Sequence, residues 1–238
     1  MSELKIGLVV EGPTDAVVLQ AGLAAFLGTP FIATTLQPQV PAGSPGTGWG
    51  GVYRWCRQVA SLKSETLSEN PILRNLDVII IQIDADVAGM SYADAGIHEP
   101  VLNDLPCEVP CPPASDTVDL LFSVVHGWLS PTRPGDYGII CVPSKCIEAW
   151  VAAGLYSQTT PELMDELECS DVILAYFQNK PARKRLIRSK KGKPKKIRSR
   201  YLEISESLTK EWENITKYCP QAGLFQKAVE NSMARLNV

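Results

Sequence analysis

The fold is decided by VVEGPTD at residues 9–15, which closes the apolar run LKIGLVV of residues 4–10. This β-branched, apolar run predicts a buried strand, and Gly12-Pro13 predicts the turn that ends it. Thr14 is the predicted N-cap of a helix of about fourteen residues that stops at Gly28. A strand that turns directly into a helix is the first unit of a parallel α/β sheet.

A second apolar run, IIIQIDAD at residues 79–86, predicts a central strand over residues 77–83, because it is apolar on both faces. Further strands are predicted at residues 31–36 and 138–142, and helices at residues 52–67, 115–128 and 144–153, with Ser115 and Ser144 as caps. The alternation of strands and helices predicts an α/β fold, in which a mostly parallel sheet is flanked by helices on both faces.

The remainder of the chain has a helical pattern from residue 161, which ends in predicted helices near residues 201–218 and 222–236. A basic segment at residues 180–200 interrupts this pattern. We therefore predict an α/β catalytic domain over residues 1–155 and a helical extension over residues 156–238.

The composition, 238 residues with 45% hydrophobic and 21% charged side chains, is ordinary for a globular protein. No apolar run approaches the roughly 18 residues that a membrane span requires, and no basic leader precedes an apolar stretch at the start. These features predict a cytoplasmic protein without a membrane partner.

Seven cysteines, an odd and scattered number, predict reduced thiols. Zinc could tolerate the spacing of Cys107 with Cys111 and of Cys141 with Cys146. We favour small buried thiols instead, because Cys141 lies within an apolar run and the first pair flanks prolines.

Acidic side chains follow two of the predicted strands. Glu11 comes directly after the first strand, and Asp84 and Asp86 come directly after the central one. Because the carboxyl ends of parallel strands share one edge, these carboxylates are expected to converge. A hard divalent cation such as Mg²⁺ or Mn²⁺ would offset their repulsion. Asp15, in the first turn of the predicted helix, is either a further ligand or a partner of the helix dipole.

The basic segment carries twelve of the 23 basic residues and no acidic one, so the rest of the chain has a net charge of −15. Such a segment could neutralise several phosphates of a nucleic-acid backbone, or be a solvated loop or a dock for an acidic partner. Its candidate nucleic-acid-binding residues are Arg183, Lys184, Arg185, Arg188, Lys190, Lys191, Lys193, Lys195, Lys196, Arg198 and Arg200. Lys145, beside a predicted helix start, is either a catalytic cation that stabilises transition-state charge or a surface lysine.

The sequence Val10-Glu11-Gly12-Pro13-Thr14-Asp15, together with Asp84-x-Asp86, resembles the motifs of the TOPRIM fold, which topoisomerases, primases and overcoming-lysogenization-defect (OLD) nucleases share. It is most similar to the version in OLD-type nucleases and in small stand-alone TOPRIM-like proteins encoded beside ATPases in bacterial defence loci. Residues 147–150, Ile-Glu-Ala-Trp, resemble a Glu-x-Trp element of the stand-alone proteins. The resemblance covers about residues 1–155.

This resemblance implies that Glu11 is a metal ligand or general acid/base, that Asp84 and Asp86 are metal ligands, and that Asp15 and Glu148 hold a second Mg²⁺ or Mn²⁺ ion. It implies a metal-dependent nuclease of anti-phage defence, with DNA favoured over RNA. The chain has no Gly-x-x-x-x-Gly-Lys-(Ser/Thr) loop, so any ATPase is expected to be a separate partner.

Two other interpretations stay open. One is a non-catalytic regulatory or binding subunit whose basic segment docks a partner or nucleic acid. The other is a phosphatase or nucleotide hydrolase, because Asp-x-Asp at a strand end also occurs in aspartyl-phosphate enzymes. The sequence leaves the oligomeric state open, a homo-oligomer included.

Overall fold

The computed structural model describes residues 3–39, 46–99, 103–190 and 192–236, except the side chain of Lys193. The strands are β1 (Leu4–Val9), β2 (Phe31–Gln37), β3 (Val78–Gln82), β4 (Gly138–Cys141), β5 (Ile187–Lys190) and β6 (Lys193–Lys196). The α-helices are α1 (Pro13–Phe26), α2 (Trp49–Ala60), α3 (Ser115–Leu129), α4 (Glu148–Tyr156), α5 (Ile173–Gln178), α6 (Arg198–Lys210), α7 (Trp212–Tyr218) and α8 (Pro220–Leu236). Within this described part of the chain, none of the helices is both long and apolar enough to cross a membrane.

The main sheet has four parallel strands in the order β2-β1-β3-β4. Every residue of β3 is buried, and β3 pairs with β1 on one side and with β4 on the other. The predicted α/β fold, with a parallel sheet and a central strand in IIIQ, is therefore confirmed. All four strands run the same way, so their carboxyl ends lie at one edge of the sheet.

Each face of the sheet is covered by its own hydrophobic core. Ile80 of β3 points into a core shared with α1, α4 and the C-terminal helices, whereas Ile79 and Ile81 point into a core shared with α2 and α3. This alternation follows from the two-residue period of a strand. Helices on both faces, as predicted, exclude water from the sheet.

The C-terminal helices pack on the same core as α1 and α4. Trp150 of α4 lies 6.0 Å from the rings of Trp212 and Phe225. Gly22 of α1 permits this packing, because a Cβ atom there would lie 2.5 Å from the Trp212 ring. Residues from both sides of position 155 thus share one core, and the division into two domains stays a prediction.

The first helix begins two residues earlier than predicted. Its N-cap is Gly12 and Pro13 occupies the first helical position, so Thr14 is not the cap. Proline suits this position because its φ is already near the helical value and the missing N–H group has no intrahelical partner there. Ser115 is likewise the first residue of α3 and follows the N-cap Ala114. The helix predicted over residues 52–67 begins at Trp49 and ends at Ala60.

The helix that follows β4 begins later than predicted. Ser144 is not its cap, because Lys145 has a left-handed φ of 55° and α4 begins only at Glu148. The N–H group of Ile147 donates to the Asp84 carboxylate instead of entering a helix. The conformation of the chain between β4 and α4 is therefore fixed by a hydrogen bond to Asp84, at the carboxyl end of β3.

The prediction that all cysteines are reduced thiols is wrong for two of them. Cys111 and Cys169 form a disulfide, with their Cα atoms 5.5 Å apart. It joins the irregular chain before α3 to the short 3₁₀ helix Leu167–Cys169. The free thiols of Cys141 and Cys146 are buried, as predicted, whereas Cys107 is exposed and the prediction of a buried thiol there is wrong.

Candidate functional site

Five acidic residues meet at the carboxyl edge of the main sheet. Glu11 follows β1, Asp84 and Asp86 follow β3, Asp15 lies in the first turn of α1, and Glu148 begins α4 after β4. Asp15, Asp84 and Glu148 are buried, Glu11 is half-buried, and Asp86 is exposed. The convergence predicted from strand order is therefore present, and we call these five residues the carboxylate cluster.

Main-chain and side-chain hydrogen bonds hold the centre of the cluster in place. Asp84 donates its N–H group to Glu11 Oε1 at 2.7 Å, which ties the ends of β1 and β3 together. Asp84 Oδ1 accepts from Ile147 N at 3.0 Å and from Gln82 Nε2 at 2.9 Å. Gln82 also accepts from the Glu11 N–H group at 3.4 Å. This buried glutamine was not among the predicted site residues, although a single polar residue in an apolar strand was a visible signal.

Three residues of the cluster face the ammonium group of Lys196, the last residue of β6. Lys196 Nζ lies 2.8 Å from Asp15 Oδ1, 2.9 Å from Glu148 Oε1 and 3.8 Å from Asp84 Oδ2. The sequence analysis placed Lys196 among the nucleic-acid-binding cations, whereas the structure pairs its ammonium group with buried acids. A basic residue in a charge run gave no sign that it would pair with acids far away in sequence.

Four acidic groups of the cluster, those of Glu11, Asp15, Asp84 and Asp86, have a raised pKa. Burial raises the pKa of Glu11 to about 8, with further contributions from Asp86 and Asp15. Burial also raises the pKa of Asp15 and Asp84. Asp86 reaches solvent, yet the protein atoms crowded around its carboxyl group raise the pKa to about 6. A cation at this place would stabilise the charged forms.

The Lys196 ammonium supplies such a cation. Burial disfavours its charge, but Asp15, Glu148 and Asp84 outweigh that effect and raise its pKa well above the usual range. Tyr201 of α6 completes this contact by donating its hydroxyl to Glu148 Oε1 at 2.7 Å. The sequence interpretation did not identify Tyr201, and it named Lys196 only as a nucleic-acid-binding cation, not as a partner of the carboxylates.

The donor set has the chemistry of a site for a hard divalent cation, because carboxylate oxygens are the preferred ligands of Mg²⁺ and Mn²⁺. Glu148 Oε2 is buried and has no hydrogen-bond partner among the described residues. In the same part of the chain, no three or more His, Cys, Asp or Glu side chains are arranged so that they could hold a metal ion. Lys196 Nζ lies between the carboxylates that would otherwise face one another. The residues fit the ion by their chemistry, while their present arrangement is organised around an ammonium group.

Lys145, the predicted catalytic cation, lies outside this contact. Its ammonium group is paired with Glu108 and, at 2.8 Å, with Asp171. Its carbonyl oxygen accepts from the Asp86 N–H group at 2.8 Å. The main chain of Lys145 therefore helps to position Asp86, whereas its side chain forms ion pairs with Glu108 and Asp171.

The basic segment contains a β-hairpin, whereas the sequence predicted only an interruption between helices. Strands β5 and β6 are antiparallel, and Gly192 in the turn has a φ of 75° that favours glycine. Ile187 lies opposite Lys196, and Arg188 lies opposite Lys195. Opposed residues share one face of a hairpin, so Ile187 and Lys196 face the body while Arg188 and Lys195 face solvent.

Most other residues of the predicted nucleic-acid-binding set are accessible. The exposed ones are Arg183, Lys184, Arg188, Lys190, Lys195 and Arg198. Arg185 and Arg200 are half-buried; Arg185 donates to the Lys180 carbonyl at 3.0 Å, and Arg200 pairs with Glu203 at 2.6 Å. Lys191 and the side chain of Lys193 lie outside the described residues.

A further buried acid, Glu168, lies outside the carboxylate cluster and was not predicted. Its carboxylate accepts from Trp150 Nε1 and from the Gln221 N–H group, each at 3.2 Å. It thereby joins α4, which carries Glu148, to the first turn of α8. Burial raises the pKa of Glu168 from about 4.5 to about 7, although both hydrogen bonds act in the opposite direction.

This shift predicts a pH-dependent contribution to stability. The folded state binds the Glu168 proton more tightly than the unfolded state, so the contribution is complete below about pH 4.5 and is lost as the pH rises through about 7. We expect the unfolding free energy of the native chain, relative to Glu168→Gln, to fall by about 2 to 3 kcal/mol over this range. Urea unfolding at several pH values measures it. Glu162→Gln, at an exposed position, is the control, and a difference that does not change with pH would contradict the prediction.

The fold and the site together define an α/β protein with a carboxylate cluster at the carboxyl edge of a parallel sheet. Comparison with known protein families, with curated proteins and with solved structures finds no match in any of the three. The functional argument therefore depends on the geometry of the chain itself.

Proposed function

We propose that this chain is a Mg²⁺- or Mn²⁺-dependent nuclease of the TOPRIM type that hydrolyses phosphodiester bonds of nucleic acid, with DNA favoured. The observation that carries the proposal is that five acidic side chains from three separate stretches of the chain meet at one edge of the sheet, where three of them face a single cation, Lys196. Keeping several buried carboxylates together is costly without a cation, and folds retain such arrangements mainly at functional sites. We further propose a cytoplasmic protein that acts in anti-phage defence with a separate ATPase subunit.

In this proposal Glu11, Asp84 and Asp86 would hold the ion, and Asp15 and Glu148 would hold a second ion or orient the attacking water. A bound divalent ion would polarise a phosphoryl oxygen of the substrate. Asp84 is well suited to a fixed role because two hydrogen bonds determine the orientation of its carboxylate. The solvent-exposed Asp86 lies where a substrate phosphate can approach.

Glu11 has two possible roles, as ligand or as general acid. With a pKa of about 8, its carboxyl group carries a proton at neutral pH. Its Oε1 atom accepts from Asp84, which leaves Oε2 to hold that proton. A group of this kind can donate a proton to the leaving oxygen of a phosphodiester.

A second candidate function is a regulatory or nucleic-acid-binding subunit without turnover. The observation that favours it is Lys196, whose ammonium group already balances the charge that a metal ion would balance. In this interpretation the carboxylates are structural, and the exposed cations of the hairpin bind nucleic acid or an acidic partner.

The deciding experiment incubates the chain with supercoiled plasmid, linear DNA and RNA in Mg²⁺, Mn²⁺ or EDTA, with and without an ATPase encoded beside it. Cleavage that needs the divalent ion supports the nuclease. Salt-sensitive binding without cleavage in any condition supports the second function and contradicts the first. Turnover of nucleotides or sugar phosphates alone would contradict both.

A further inference from the structure

A pocket of about 230 Å³ lies between α4, the chain leading into β5, and α6. Its apolar lining is buried or half-buried and consists of Leu155, Tyr156, Leu186 and Ile204. Its charged lining consists of Arg183, Lys184, Arg200 and Glu203. Arg183, Lys184 and Glu203 are exposed, so the pocket has an apolar floor beneath a charged rim.

The rim carries an excess of positive charge. Arg200 is paired with Glu203, whereas Arg183 and Lys184 have no ion-pair partner among the residues that the structure describes. The floor favours a flat or apolar group, and the rim favours an anion. A nucleotide has both parts, because its base has an apolar face and its phosphate is charged.

The pocket adjoins the carboxylate cluster through the first turns of α6. Arg200, Glu203 and Ile204 are three and four residues apart, so they share the helix face that lines the pocket. The next residue after Arg200 is Tyr201, which is buried and donates its hydroxyl to Glu148 Oε1. One turn of α6 therefore joins the pocket to the carboxylate cluster.

We propose that this pocket binds a nucleotide of single-stranded nucleic acid next to the carboxylate cluster. A base can enter a pocket with an apolar floor only when it is unstacked and unpaired, as it is in a single strand. Arg183 and Lys184 contact the phosphate, and the base lies over the floor. The inference deepens the proposed nuclease function and rests on it for the cluster as the neighbouring site, but the binding itself needs no metal.

The hairpin offers a matched comparison surface. Arg188 and Lys190 are exposed on its solvent face, two residues apart on one strand, and neither lines the pocket. They carry the same charge as Arg183 and Lys184 and belong to the same basic segment. If nucleic acid bound by charge alone, removing either pair of cations would weaken binding to the same extent.

The test measures fluorescence anisotropy in EDTA with the full chain and a labelled single-stranded oligonucleotide of about 12 nucleotides, or the matching duplex. We expect Arg183→Ser with Lys184→Ser to weaken single-strand binding by about tenfold, and Arg188→Ser with Lys190→Ser by less than about threefold. We also expect the native chain to prefer the single strand, and the pocket variant to lose that preference. Thermal unfolding of both variants verifies that they fold.

Three results would overturn the inference: equal weakening by both double variants, duplex binding as tight as single-strand binding, or displacement by a mononucleotide or inorganic phosphate as readily as by the oligonucleotide. Because EDTA prevents cleavage, the outcome is independent of activity. A chain that binds single strands through the pocket and never cleaves would keep this inference and end the nuclease proposal. A chain that cleaves but binds through the hairpin would keep the nuclease proposal and end this inference.

Discussion

Asp84→Asn is expected to reduce metal-dependent cleavage by at least about 100-fold, because the ion would lose one of its negatively charged ligands. Asp84 Oδ1 accepts a hydrogen bond from the Ile147 N–H group at 3.0 Å. Asparagine is the informative replacement because its side-chain oxygen can still accept this bond. Alanine would leave that buried donor unpaired and confuse loss of chemistry with loss of structure. The measurement is the initial rate of plasmid or single-strand cleavage in Mg²⁺ and Mn²⁺.

The matched control for this variant is Asp77→Asn, directly before β3 and at the opposite edge of the sheet from Asp84. Asp77 Oδ2 accepts from the Lys5 N–H group at 2.7 Å, and an amide oxygen can retain this bond. We expect Asp77→Asn to cleave at the native rate. Undiminished metal-dependent cleavage by a folded Asp84→Asn variant would remove the carboxylate cluster from the mechanism.

Lys196→Met is expected to lower the unfolding free energy by about 2 to 4 kcal/mol, because the buried carboxylates of Asp15 and Glu148 lose their shared counter-ion. Methionine retains most of the apolar stem and removes the charge. The side chain of Lys196 is 28% exposed, so water partly screens the loss and the effect lies at the lower end of what a fully buried ion pair gives. Urea unfolding in EDTA measures it.

The same variant provides a test of metal binding that does not need activity. If the cluster can hold a divalent ion, Mg²⁺ or Mn²⁺ should raise the melting temperature of Lys196→Met more than that of the native chain, because no ammonium group competes. Lys195→Met is the control: it removes the same charge from the neighbouring, solvent-facing position and should change neither stability nor the response to metal. Equal metal responses in all three chains would argue for the regulatory function.

The elements of the sheet were predictable because each is encoded locally. The run at residues 79–83 is apolar on both faces, which only a central strand of a covered sheet tolerates, and β3 is buried throughout. Glu11 and Asp84 were predicted to meet because chain direction in a parallel sheet puts both at one edge, and a 2.7 Å hydrogen bond joins them. Helix starts were predicted less well, because at Ser144 a tertiary hydrogen bond to Asp84 takes the N–H group that a cap would have served.

Other features had no local signal. The disulfide between Cys111 and Cys169 joins residues 58 positions apart, and neither position has a neighbouring pattern that selects its partner. In the sequence, Glu168 is one of several acidic residues in a polar stretch and nothing marks it as buried. In the structure it is buried by packing against α4 and α8. Burial of a lone polar residue depends on what packs over it, which sequence periodicity does not report.

The sequence by itself determined the order of the strands and helices of the main sheet and the edge at which Glu11, Asp84 and Asp86 emerge, since periodicity and chain direction are properties of short segments. Only the tertiary structure decided which cation those acids would face. Lys195 and Lys196 are neighbours in the same charge run, but the pleat of β6 turns one to solvent and the other toward Asp15, 181 residues away. A strand's alternation places successive side chains on opposite faces, and only the packing of the hairpin selects the face that meets the carboxylates.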